Sequence, residues 1–266
     1  MKEKILLFIP CYNCEKQIIR VLAQLDKKIM SWIDRVIVVN NRSTDRTEEA
    51  IKDFMEKEKN LPIVLLRNDE NYGLGGSHKV AFHYAVENNF DYILVLHGDD
   101  QGNIKDVLPI LESGEYRLHD CCLGARFMKD SKLPGYSTFR TFGNRVYNIL
   151  FSLACKRKIY DLGSGLNLYK VDMLRSGYYE KFPDDLTFNC CMLMALDFFQ
   201  QDSKFFPISW REEDQVSNVK LFSQAGHTLH MIFEYVVQQE KCLKKEWRTT
   251  IRPSYQVKVV SKVNLH

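Results

Sequence analysis

Two adjacent carboxylates, Asp99 and Asp100, follow directly on an apolar run in "DYILVLHGDDQGN" (91–103), with His97 two residues ahead of Asp99. Hard divalent cations take oxygen ligands and need only one or two protein carboxylates when a substrate phosphate completes the shell. Such a strand end therefore suits a metal–diphosphate site. His97 and Asp99 project the same way if extended backbone continues past the strand. The plainer explanation of a lone acidic pair is an exposed turn. What favours chemistry is company: Asn13, Asn40, Asn41 and Asn71 also stand just after apolar runs.

Those runs must be the elements that bring the polar groups together. "ILLFIP" (5–10), "RVIVVN" (35–40), "PIVLLR" (62–67) and "DYILVLHG" (91–98) read as strands buried on both faces. Helical spacing or a capped start marks 15–29, 43–59 and 75–88 between them. This alternation predicts an α/β fold, a mostly parallel sheet with helices on both faces. Ligands in such sheets bind at the carboxyl ends of strands, where the polar residues cluster. The second half is less regular, with strands expected at 120–124, 164–170 and 204–210 and helices near 140–155, 185–201 and 224–240. The tail from Gln239 is basic, with Lys241, Lys244, Lys245, Arg248, Arg252, Lys258 and Lys262 against Glu240 and Glu246. It reads either as a solvated tail or as an attachment to anionic lipid or a partner chain.

Composition sets the class. The 266 residues carry a formal net charge of +3, too small to argue for nucleic acid. Eight cysteines sit mostly inside apolar patterns, two pairs of them adjacent, which suits a reducing, cytoplasmic compartment better than a disulfide framework. Cys11 and Cys14 have redox-motif spacing, but plain thiols in a loop are the commoner meaning, and no nearby Cys/His set completes a zinc site. His227 and His230 lie in an apolar helical stretch and read as structural. No run approaches the roughly 18 apolar residues of a spanning helix.

Six segments in order give the chain a resemblance to the inverting nucleotide-sugar glycosyltransferases of family 2, with their Rossmann-like GT-A fold, over about residues 4 to 220. They are "IPCYNCEKQI", "VVNNRSTDRT", "NYGLGGSHKVAFHYA", "LHGDDQGN", "LGARF" with "RTFGN", and "DLGSGLNLYK". Within that family the chain is most similar to the polyprenyl-phosphate, dolichol-phosphate-mannose-synthase-like branch. The resemblance implies a GT-A domain over 1–222, with 223–266 as a C-terminal helix and basic tail.

The resemblance also implies roles. Pro10, Tyr12 and Glu15 would shape the loop over the nucleotide base; Asn40, Asn41 and Asp45 would lie beside base and ribose, and Asn71 and Gly73 would join them. Asp99 would hold Mn²⁺ or Mg²⁺, which neutralises the leaving diphosphate. Two positions depart from the family pattern. His97 replaces the first metal-motif Asp, leaving it a metal ligand or a phosphate contact; coordination by His would favour Mn²⁺. Asn40 and Asn41 replace the acids that read the base, which tilts the donor from a GDP-sugar towards a UDP-sugar.

On the acceptor side, Arg126 and Arg140 would position a lipid phosphate, an acceptor already anionic that needs no strong base. A sugar hydroxyl would need one. Asp185, in "FPDDLTF" beside Asp184, is favoured for that task, and Asp161 is a second choice that could equally cap a turn. Residues 209–222 read as a solvated loop or as a flap over the diphosphate, with Arg211, Ser217 and Lys220 as contacts. The leading expectation is metal-dependent sugar transfer to a polyprenyl phosphate by a cytoplasmic enzyme that meets its lipid at the inner face of a membrane. The alternatives are transfer to a saccharide hydroxyl in surface polysaccharide or glycolipid assembly, and a non-catalytic nucleotide-sugar-binding subunit. A nucleotidyltransferase would want a glycine- and lysine-rich first loop, which "IPCYNCEKQ" lacks.

Overall fold

The computed structural model describes residues 2–212 and 221–263, with the backbone alone over 221–225. The first half forms β1 (Ile5–Cys11), α1 (Glu15–Ala23), α2 (Lys27–Met30), β2 (Arg35–Asn40), α3 (Thr47–Lys57), β3 (Ile63–Asn68), α4 (Gly73–Glu87) and β4 (Tyr92–Leu96). Then follow α5 (Leu108–Glu112), β5 (Cys121–Ala125), α6 (Thr138–Ala154), β6 (Leu166–Lys170), α7 (Phe188–Phe198), β7 (Ser203–Pro207), α8 (Leu221–Val237), α9 (Gln239–Lys244) and β8 (Val257–Lys262).

The described strands make one eight-stranded sheet in the order β7-β5-β6-β4-β1-β2-β3-β8. β4, β1, β2 and β3 run parallel, as do β5 and β7, whereas β6 and β8 lie antiparallel to their neighbours. The continuous apolar runs are explained by two cores, one on each face. Leu6 and Phe8 of β1 pack with Phe82, Phe151 and Phe188, while Ile5, Leu7 and Ile9 pack with Ile18, Val21 and Ile51. Alternate side chains of one strand thus feed opposite cores.

Two expectations meet a different outcome. The single helix read over 15–29 is two, because the Asp26 carboxylate caps a new start by accepting from the Lys28 and Ile29 amides. The tail after Gln239 is not an appendage. Its last segment, β8, pairs with β3 at the sheet edge, and Lys244, Lys245, Arg248 and Arg252 form ion pairs with Glu240, Glu234, Glu246 and Glu70.

Candidate active site

The parallel order places β1 between β2 and β4, so connections leave the sheet in opposite directions at the carboxyl ends of β1 and β4. That crevice is where open α/β sheets bind ligands. Gly98 closes it tightly: its amide donates to the Pro10 carbonyl at 3.1 Å, and a Cβ there would stand 2.7 Å from Cys11 Sγ. The strand end bearing Asp99 is thereby fixed against the loop that carries Tyr12 and leads to Glu15 at the start of α1.

The paired acids divide their work. Asp100 has a left-handed backbone (φ 60°) that turns its fully buried carboxylate back into the protein. There it accepts from Arg20 Nε at 2.5 Å, from Gln24 and from Arg211, whose Nε also donates to the Asp100 carbonyl at 2.9 Å. Asp100 is a structural anchor. Asp99 is half-buried, accepts from the Gln101 amide at 3.2 Å, and has its carboxyl pushed up to about 6 by burial. A desolvated carboxylate of this kind gains most from a bound cation.

His97 lies beside a second buried imidazole. Its ring stands edge-on to His78, with centroids 6.3 Å apart, and its Nε2 is buried without a hydrogen-bond partner among the described residues. Burial pulls the imidazole down to about 4, so it stays neutral at physiological pH. Among the described residues no three His, Cys, Asp or Glu side chains converge to hold an ion. A cation here would rest on Asp99, with donor phosphates completing its shell, and His97 keeps a lone pair or N–H for that site or for water.

The nucleotide-side candidates form a hydrogen-bonded amide network. Asn41 Oδ1 accepts from Asn68 Nδ2 at 2.9 Å and from the Tyr72 amide at 2.8 Å, and its Nδ2 donates to Asn71 Oδ1 at 2.8 Å. Asn71 Oδ1 also accepts from the Gly73 amide. Asn40 donates to Glu48 and accepts from the Ser43 amide. Asp45 accepts from Thr47 at the start of α3 and from the Glu15 amide, tying the β1 loop to the β2 loop. Pro10 is buried within β1, and Tyr12 is exposed at the rim. The Cys11 thiol is pushed far up by burial, the reverse of a redox thiolate, and all eight cysteines are buried and free.

Arg126 and Asp161, separate candidates in the sequence, are one buried ion pair. Arg126 Nε and Nη2 reach the two carboxylate oxygens at 2.8 and 2.7 Å, and the guanidinium lies over Trp210. Burial opposes the charge of Arg126, but Asp161 more than offsets it and holds the guanidinium protonated. Arg140, near the start of α6, pairs with Glu212 and lies over Tyr136. Asp185 is exposed ahead of α7, where Oδ1 accepts from the Thr187 amide and hydroxyl. Ser217 and Lys220 lie outside the described residues.

Sequence reasoning missed Arg20, Gln24, Asn68 and Lys79. Only Lys79 carried a signal, a lysine inside the otherwise small and apolar run "GGSHKVAFHYA".

Comparison with known proteins agrees with this fold. The model of glycosyl transferase family 2 matches residues 7–177. An uncharacterized protein of Methanocaldococcus jannaschii is 27% identical over 171 residues, covering 63% of this chain and 72% of its own. A dolichol-phosphate mannosyltransferase of Pyrococcus furiosus is 24% identical over 137 residues, 52% of this chain and 37% of its own. Among solved structures, glucosyl-3-phosphoglycerate synthase of Mycobacterium tuberculosis, in complex with Mn²⁺, UDP and product, superposes with a TM-score of 0.59 at 13% identity, covering 89% of this chain and 80% of that one. The GT-A fold is shared. The chain belongs to glycosyl transferase family 2 and is a nucleotide-sugar-dependent glycosyltransferase.

Proposed function

We propose that the enzyme transfers a sugar, with inversion, from a nucleoside diphosphate, UDP in preference to GDP, to a polyprenyl phosphate at a membrane surface. Asp99 would hold Mn²⁺ or Mg²⁺, and the bound cation would neutralise the leaving diphosphate. Pro10, Tyr12, Glu15, Asn40, Asn41, Asp45, Asn71 and Gly73 would frame the nucleotide, with His97 beneath. The relatives lend support: one is a dolichol-phosphate mannosyltransferase, and a structural neighbour was solved with Mn²⁺ and UDP.

The observation that carries the lipid acceptor is the outer face of α6 and α8. Phe139, Phe142, Val146, Ile149 and Leu153 recur every three or four residues along one side of α6, with Phe139 75% and Leu153 72% exposed. The opposite side buries Asn148, Phe151 and Ala154. On α8, which packs against α6, Leu229, Phe233, Val236 and Val237 are likewise exposed while Met231 and Tyr235 are buried. Helix α6 contains no acid and three positions follow with lysine or arginine, Lys156, Arg157 and Lys158; the lone acid of α8, Glu234, pairs with Lys245. An apolar face fringed with cations suits an anionic bilayer, on which it would lie flat. No described helix is long and apolar enough to cross one. Arg140, on the first turn of the same helix, would meet the lipid phosphate, and Arg126 would back it through the ring of Tyr136, over which both guanidinium groups lie.

Vesicles containing a polyprenyl phosphate and anionic lipid, incubated with UDP-sugars and Mn²⁺, test this reading. Sugar should appear on the lipid. Phe142→Glu with Leu153→Glu should release the enzyme from vesicles and cut lipid glycosylation at least tenfold while leaving UDP binding intact. Transfer only to a soluble saccharide, unaffected by those changes, would favour the alternative acceptor, with Asp185 as base. A self-associating protein that ignores vesicles would mean that the face meets a second copy.

A further inference from the structure

The basic tail contains an arrangement that the sugar-transfer reading does not use. Lys79 of α4 is fully buried, and its amine donates to the Phe182 carbonyl at 2.6 Å, to Asp184 Oδ1 at 2.7 Å and to the Tyr255 hydroxyl at 3.0 Å. Tyr255 donates to the same Asp184 oxygen at 2.6 Å, and Arg252 Nη1 reaches the other at 3.1 Å. Asp184 therefore spends its carboxylate on the protein interior, and its neighbour Asp185 is left at the surface.

The same tail segment grips a second loop. Arg252 Nη2 donates to Glu70 at 3.0 Å, its guanidinium lies over Tyr72, and the Tyr72 hydroxyl exchanges hydrogen bonds with the backbone of Gln256. The two loops also touch directly. The Asp184 carbonyl accepts from the Gly75 amide at 2.8 Å, and at Gly73, where φ is +71°, a Cβ would stand 2.3 Å from that carbonyl oxygen. Only glycine permits both the backbone sign and the approach.

We infer that Arg252–Gln256 is a clasp holding the loop that carries Asp185 on the loop that carries Asn71 and Gly73. Lys79, Arg252 and Tyr255 are then positioning residues that set the Asp185 loop, on the acceptor side of the crevice under either acceptor, against donor-side groups, an assignment of sides that rests on the proposed function. A buried lysine with three acceptors is a costly device for mere stability, since apolar packing would serve as well. Registering two loops is a use that needs its directionality.

Hydrogen exchange of the full chain tests the clasp without any substrate. In Arg252→Ala with Tyr255→Phe, amides of 69–76 and 182–187 should exchange at least tenfold faster, while those of β1 and β4 hold. Tyr255→Phe alone, the milder change, should accelerate both loops at least threefold. The kinetic companion is a split. Mn²⁺–UDP affinity should weaken less than kcat, the kcat of sugar transfer should fall at least tenfold, and Arg252→Lys should recover most of it. Unchanged exchange in 182–187, or equal acceleration across the sheet, would overturn the clasp. So would loosened loops with kcat intact. A wild type that transfers no sugar would count against the proposed function, while the exchange result would still decide the clasp.

Discussion

The two sides of the crevice are held together by different chemistry. At the ends of β2 and β3 the bonds around Asn41 are between uncharged groups: Asn41 joins Asn68, Asn71 and the Tyr72 amide, and Asn68 reaches the Ser77 hydroxyl. At the ends of β4, β5 and β6 they are between charges: Asp100 with Arg20 and Arg211, Arg126 with Asp161, Arg140 with Glu212. An amide donates and accepts at once, so a chain of them closes without net charge. Ion pairs leave a stranded charge when either partner is lost. The amide network around Asn41 should thus tolerate salt and pH, and the charged side should fail abruptly on substitution.

Asp99 stands where the two sides meet and should give the largest effect. Asp99→Asn should lower sugar transfer by about a thousandfold, roughly 4 kcal/mol at the barrier, with little change in melting temperature. Asp161→Ala comes next, because it strands the buried guanidinium of Arg126. Unfolding in urea should show a loss of about 3–5 kcal/mol, and Asp161→Asn should lose less. On the neutral side, Asn41→Ala leaves Asn68, Asn71 and the Tyr72 amide short of partners and should cost about 2 kcal/mol by the same measurement. Asn41→Asp should also destabilise, since a carboxylate cannot donate to Asn71 Oδ1.

Smallest, taken per pH unit, is the slope of stability with pH. Burial pulls the His78 imidazole down to about 3, so the folded protein keeps it neutral while the unfolded chain protonates near 6.5. The unfolded state then binds more protons, and stability falls as pH drops from 6.5 towards 3. The slope from this group is about 1.4 kcal/mol per pH unit, and His78→Gln should remove it. A slope of opposite sign would show that His78 gains a proton in the fold.

The sequence reading reached the neutral side's framework and the charged side's elements for the same reason. Strands β1 to β4 are uninterrupted apolar runs, and β5, β6 and β7 fall within one to three residues of the stretches expected from pattern. What pattern could not carry was pairing. Arg126 and Asp161 lie 35 positions apart, and nothing in either segment says that they meet. The division of labour between Asp99 and Asp100 depends on one positive φ, which two consecutive aspartates do not announce. Strand β8 was hidden because "VKVVSK" reads as charge before it reads as alternation, and its apolar residues serve an edge rather than a core.

The most direct test of the account is calorimetric binding of UDP and GDP, each with and without Mn²⁺, to the wild type and to Asp99→Asn. UDP binding should need Mn²⁺, exceed GDP binding, and weaken at least tenfold in Asp99→Asn. Binding of neither nucleotide, or UDP binding indifferent to both the metal and Asp99, would contradict it.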